Sequence, residues 1–154
     1  MTSIVYLDLD GVVVTAKQRA QSSDPDYLPP DTIALIIDLC RKADAKIVVT
    51  STWRRNSNCR DALARAGLPP DYLYPDWRTA LDLDPPDDVS VRGFEIADHV
   101  ARNGITNYVI LDDFPVLDCQ TKRHVQPDDR IGLLPGHIHD AFRILGRCVQ
   151  HAAA

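Results

Sequence analysis

Three short apolar runs rich in β-branched residues punctuate the chain: IVYLDLDGVVV from Ile4, KIVVTSTW from Lys46 and NYVILDDF from Asn107. Each ends in carboxylate or hydroxyl side chains. Apolar stretches of this length without polar alternation suit strands covered on both faces, as in a parallel sheet. Between them lie segments of helical period. Pro30-Asp31 opens one that carries Ile33, Leu35, Ile36, Ile37, Leu39 and Cys40, and Phe94, Ile96, Ala97 and Val100 mark another that closes near Asn103-Gly104. A shorter helix runs from Asn58 to Ala66, stopped by Gly67 and Pro69-Pro70. A fourth strand beginning at Val125 and a terminal helix from Ile138 to Gln150 complete the pattern, with loops at Tyr27 to Pro30, Pro69 to Pro75 and Pro85-Pro86. Strands alternating with helices predict an α/β fold: a doubly wound, Rossmann-like parallel sheet with helices on both faces. No linker or repeat divides the 154 residues, which predicts a single domain over residues 1–154.

Composition excludes several function classes. No apolar run approaches the roughly 18 residues that a membrane span needs. The first run carries Asp8 and Asp10 in its middle with no basic lead-in, so it is not read as a signal peptide. These features predict a cytoplasmic protein with no membrane partner. Cys40, Cys59, Cys119 and Cys148 form no CxxC pair and suit reduced thiols better than a disulfide frame or a zinc site. A net charge of −5 argues against a sequence-independent grip on nucleic acid, which depends on basic groups neutralising phosphates.

In an open parallel sheet, ligands sit beyond the carboxyl ends of the strands, so the polar residues ending the three runs should converge on one crevice. Asp8 and Asp10, two apart, would share a face if the strand stayed regular, and Gly11 lets the chain turn sharply against a ligand. Asp112 and Asp113 end another run. Four carboxylates brought together repel one another unless a cation sits among them, and all-oxygen ligation with room for water suits Mg2+. An EF-hand does not fit, because Asp-x-Asp-Gly lies here between β-branched residues and no glutamate follows at loop position 12. His137 and His139 in GHIHD would share a face on a strand, but two ligands make no metal site, and a polar turn leading into the last helix explains them.

The order of these elements, DLDG first, TST second and DD last, resembles the haloacid dehalogenase-like (HAD) hydrolase superfamily from Ile4 to about Leu134. The resemblance implies that Asp8 is a nucleophile that takes up a phosphoryl group and that Asp10 is the general acid/base. It also implies that Thr50, or its neighbour Ser51, holds a phosphate oxygen, and that Asp8, Asp10, Asp112 and Asp113 hold Mg2+. The second acid, Asp10, points to phosphate rather than halide chemistry. In the family a lysine usually precedes the acidic strand at a helix start; here Arg92 takes that place and would supply the charge, with a guanidinium in place of an ammonium.

STWR and RGFEI further resemble elements of the small, capless HAD domains associated with Swiss-army-knife RNA repair proteins. That resemblance implies that Trp53, Arg54, Arg55 and Arg60 lie at the crevice mouth, where arginines could hold a second phosphate and the indole could stack on a base. Neither gap between motifs is long enough for a full cap domain, so the crevice is expected to be open. The expected activity is Mg2+-dependent hydrolysis of a phosphomonoester through an aspartyl-phosphate, with a nucleic-acid end or a nucleotide as the phosphorylated substrate. The alternative is a catalytically weak HAD-fold module that binds phosphate or a partner, suggested by Arg92 in place of lysine. A receiver-like switch has the acid pair first and the phosphorylated aspartate later, the reverse of the order here.

Overall fold

The computed structural model of the chain describes residues 2–153, with side chains described through Gly146. Five parallel strands, β1 (Ser3–Leu7), β2 (Ala45–Val49), β3 (Leu73–Arg78), β4 (Tyr108–Leu111) and β5 (His124–Val125), lie in the order β3-β2-β1-β4-β5. The helices are α1 (Ala16–Gln21), α2 (Pro30–Ala43), α3 (Cys59–Arg65), α4 (Val91–Asn103) and α5 (Pro135–Ala153). The order reverses between β1 and β4, so the doubly wound arrangement leaves its crevice at the carboxyl ends of those two strands.

Strand alternation explains the two layers of core. Val5, Leu7, Ile47, Val49, Val109 and Leu111 face one way, into a cluster with Ile33, Ile36 and Leu39 of α2, Leu63 of α3, and Ala141 and Leu145 of α5. Ile4, Tyr6, Val48 and Ile110 face the other way and meet Ile96 of α4. Helix α4 is tied down further by a buried imidazole. His99 Nε2 lies 2.8 Å from the Asp76 carbonyl, which can only accept, so Nε2 donates there and Nδ1 accepts a hydrogen bond from the Tyr6 hydroxyl at 2.8 Å. Burial holds His99 below its usual range, in the neutral form that this relay needs.

Several sequence expectations change at their edges. Strand β1 stops at Leu7, and Val12, Val13 and Val14 form a buried turn whose amides all point at the Leu9 carbonyl. Residues Pro69 to Pro75, expected as loop, contain a 3₁₀ turn and the first half of β3. This edge strand tolerates Pro75 because its pairing with β2 is irregular: Ile47 faces Leu73 and Val49 faces Arg78. Val125 ends β5 rather than beginning it. The terminal helix starts at Pro135 rather than Ile138, so His137 and His139 lie in its first two turns rather than in a turn leading into it. His137 Nδ1 accepts the Leu134 amide at 2.9 Å. Helix α1 was not foreseen, although Thr15 and Gln18 form a capping box that the sequence carries.

Among the described residues there is no cap domain. Between β1 and α2 lie only a turn and α1, and between β2 and β3 only a 3₁₀ turn (Thr52–Arg55), α3 and a short turn. No described helix is long and apolar enough to cross a membrane. Cys40, Cys59 and Cys119 are unpaired, and Cys148 lies outside the described side chains.

Gly93 explains part of RGFEI. A Cβ there would meet the Leu117 backbone nitrogen at 2.6 Å and Gln120 Oε1 at 2.8 Å, while the Gln120 amide donates to the Gly93 carbonyl at 2.9 Å. Helix α4 thus rests directly on the backbone that follows β4. Gly93→Ala is expected to cost about 1–3 kcal/mol through overpacking, read as a lower urea midpoint. An unchanged midpoint would show that α4 is free to slide on this contact.

Candidate active site

Asp8, Thr50 and Asp112 each stand one residue past the end of a central strand, and backbone bonds continue the sheet to hold them. The Asp8 amide donates to Leu111 O at 3.0 Å and the Thr50 amide to Leu7 O at 2.9 Å. All three are buried. Asp8, Asp112 and Asp113 bring one carboxylate oxygen each to within 4.8 Å of one another. A single atom of Arg92, Nη1, reaches into this group from the first turn of α4. It lies 2.6 Å from Asp112 Oδ2, 3.1 Å from Asp8 Oδ1 and 3.3 Å from Thr50 Oγ1.

One guanidinium does not balance three carboxylates. Burial pushes the Asp8 carboxyl up to about 8, with Asp112 and Asp113 adding to the shift and Arg92 opposing it. Burial also raises Asp112, against Arg92 and the Phe114 amide. Burial would lower Arg92, but Asp8 and Asp112 outweigh it and hold the guanidinium above its usual range. Asp113 contributes a buried Oδ1 with no hydrogen-bond partner among the described residues. Its other oxygen lies 2.5 Å from where a Cβ on Gly11 would be, and Gly11 has a φ of +83°, so a side chain there would be strained and would crowd the Asp113 carboxylate. Hard oxygen donors, an excess of negative charge and an orphaned buried oxygen fit a divalent cation.

Asp10 is not part of this cluster. It lies beyond the end of β1, and its side chain is exposed on the wall of a cleft of about 390 Å³ shared with Gly11, Arg19, Asp113 and Phe114. Its carboxylate is held by Arg19 and by Trp53 Nε1. Thr50 turns its hydroxyl to Arg92, whereas the Ser51 hydroxyl accepts the Trp53 amide at 3.3 Å and caps the 3₁₀ turn.

The arginine cluster expected at the crevice mouth does not assemble. Arg54 is buried, and every N–H of its guanidinium is committed: to the carbonyls of Thr50, Ser51, Thr79 and Ala80, and to Glu95 Oε2 at 2.5 Å. It has no donor left for a phosphate. Arg55 pairs with Asp82 at the surface, and Arg60 lies over the Trp77 ring. Sequence reasoning missed Arg19, whose helix is signalled by the capping box, and Glu95, which sits in RGFEI one turn after Arg92.

A family model described as the HAD domain in Swiss Army Knife RNA repair proteins matches residues 4–138. No curated protein and no solved structure matches the chain.

Folded Asp8 retains a proton that the unfolded chain, with its carboxyl near 3.8, has already released. Without metal, its stability contribution is therefore lost as pH rises from about 4 through about 8. In EDTA, wild type is expected to lose at least about 1 kcal/mol relative to Asp8→Asn between pH 5 and pH 8, measured by urea unfolding. Saturating Mg2+ should reverse that loss and raise the wild-type Tm by about 5 °C or more. Parallel pH curves with no response to Mg2+ would remove the case for a cation here.

Proposed function

Because the chain belongs to the family of HAD domains in Swiss Army Knife RNA repair proteins, we propose that it is a Mg2+-dependent phosphomonoesterase acting through an aspartyl-phosphate on Asp8. The observation that carries this reading is the position of Asp8. It is a buried carboxylate at a central strand end, with a guanidinium nitrogen at 3.1 Å and an acidic pair beside it.

An Asp8 carboxylate oxygen attacks phosphorus, the bond from phosphorus to the leaving oxygen breaks, and Asp10 gives that oxygen its proton. Asp10 then takes a proton from the water that attacks the aspartyl-phosphate, which releases inorganic phosphate and restores Asp8. Arg92, the Thr50 hydroxyl and the backbone amides after Asp8 hold the phosphoryl oxygens, where charge accumulates in the transition state. Asp8, Asp112 and Asp113 would hold Mg2+, which when bound offsets the repulsion between the phosphate and the carboxylates. Asp10 stands apart on the exposed cleft wall, where it can exchange protons with solvent. The open crevice accepts large substrates, and the family's description favours a phosphate end on a nucleic acid or nucleotide.

The test is phosphate release from an aryl phosphate and from 3′- and 5′-phosphorylated oligonucleotides, with Mg2+ or EDTA. Wild type is expected to turn over only with Mg2+, and Asp8→Asn to fall by about 10³-fold or more. No release by folded protein that binds Mg2+ would overturn the reading.

A further inference from the structure

We propose that Arg19 and Trp53 are positioning residues that clamp Asp10 in the orientation from which it protonates the leaving group; this rests on the reading of Asp10 as general acid. Three side chains from three separate segments close on one another. Arg19 Nη2 lies 3.0 Å from Asp10 Oδ1, Trp53 Nε1 donates to Asp10 Oδ2 at 3.0 Å, and the Arg19 guanidinium carbon lies 4.4 Å from the Trp53 ring centroid. Arg19 is itself braced from the far side, since Nη1 donates to the Pro25 carbonyl.

An isolated exposed ion pair fixes little, because two mobile side chains lose entropy for a weak, solvent-screened attraction. Here each carboxylate oxygen has its own donor, and the two donors are stacked on each other, so the carboxylate plane is set by both. Helix α1 buries none of its residues and adds nothing to the core. What it does place is Arg19. Asp10 and Arg19 line the same cleft as Gly11 and Asp113, the two residues packed against each other beside the acidic cluster. The clamp therefore holds the acid on the wall of the cleft that borders the acidic cluster through Asp113. The same geometry gives Trp53 a role other than stacking on a base, because a guanidinium already covers its ring.

A clamp that serves proton donation has a signature that a structural contact lacks. An aryl oxide leaves without a proton, whereas an alkoxide needs one, so misplacing the acid penalises alkyl phosphates selectively. The readout is kcat/KM, which reports the steps through phosphoryl transfer to Asp8, measured for p-nitrophenyl phosphate and for an alkyl phosphomonoester. Arg19→Ala and Trp53→Phe are each expected to lower kcat/KM for the alkyl ester by about 10- to 100-fold. The aryl ester should change by less than about 3-fold on the same grounds. Arg19→Lys, which keeps the charge, should recover part of the loss. Equal losses on both esters, or none on either, would overturn the clamp and leave the phosphomonoesterase reading standing. A wild type that hydrolyses neither ester with Mg2+ would overturn that reading, and the clamp with it.

Discussion

The placement of buried carboxylates at the carboxyl ends of parallel strands is the constraint to which the rest of this structure answers. Asp8 and Asp112 are carried there by β1 and β4, which pair directly, so their proximity follows from the sheet register and cannot be relaxed locally. Two buried like charges cost several kcal/mol each unless compensated. The compensation comes from across the crevice, where Arg92 Nη1 meets both carboxylates and the Thr50 hydroxyl. The register of α4 on the sheet therefore matters more than the register of any other helix. It is fixed by Ile96 in the core, by the His99 relay to Tyr6 and Asp76, and by the close backbone approach at Gly93.

The two family-like elements, STWR and RGFEI, acquire a physical meaning from this requirement. Arg54 of the first and Glu95 of the second form a buried ion pair, and Arg54 also gathers four carbonyls of the segments that follow β2 and β3. Glu95 lies one helical turn from Arg92, so the pair fastens the Thr50 segment to the helix that carries the guanidinium. Such a pair adds little net stability over an apolar substitute, but removing one partner strands the other charge, which costs about 3–5 kcal/mol. It enforces one geometry. These motif residues shape the pocket from behind rather than touch what enters it.

The fold was legible because its signals were redundant: three apolar runs rich in β-branched residues, and amphipathic helices opened by Pro30 and closed by Gly104. Thr50, Asp8 and Asp112 were legible for the same reason, since strand ends in a parallel sheet point to one place. The misses share a cause. Edge strand β3 lacks an apolar run, because an edge with one irregular neighbour does not need one. Asp-x-Asp spacing implied a shared face only while the chain stayed extended, and β1 ends before Asp8. The arginines after Trp53 read as a cationic surface, yet Arg54 turns inward. Sequence shows charge and spacing; which way a 3₁₀ turn rotates a side chain depends on carbonyls contributed by residues 25 positions away, such as Thr79.

Arg92 serves as the cation of this cluster for a geometric reason. All three contacts at the centre of the cluster converge on one nitrogen, an arrangement that an ammonium also provides. The guanidinium adds what lies behind that nitrogen: its carbon sits 5.2 Å from the Phe114 ring centroid, so the planar group is braced by the aromatic residue that follows the acidic pair. Phe114 is itself half-exposed on the cleft wall, and its amide donates to Asp112 Oδ1. Arg92 is thus coupled to the acidic loop through stacking as well as charge. A lysine would have to find that rigidity in other contacts.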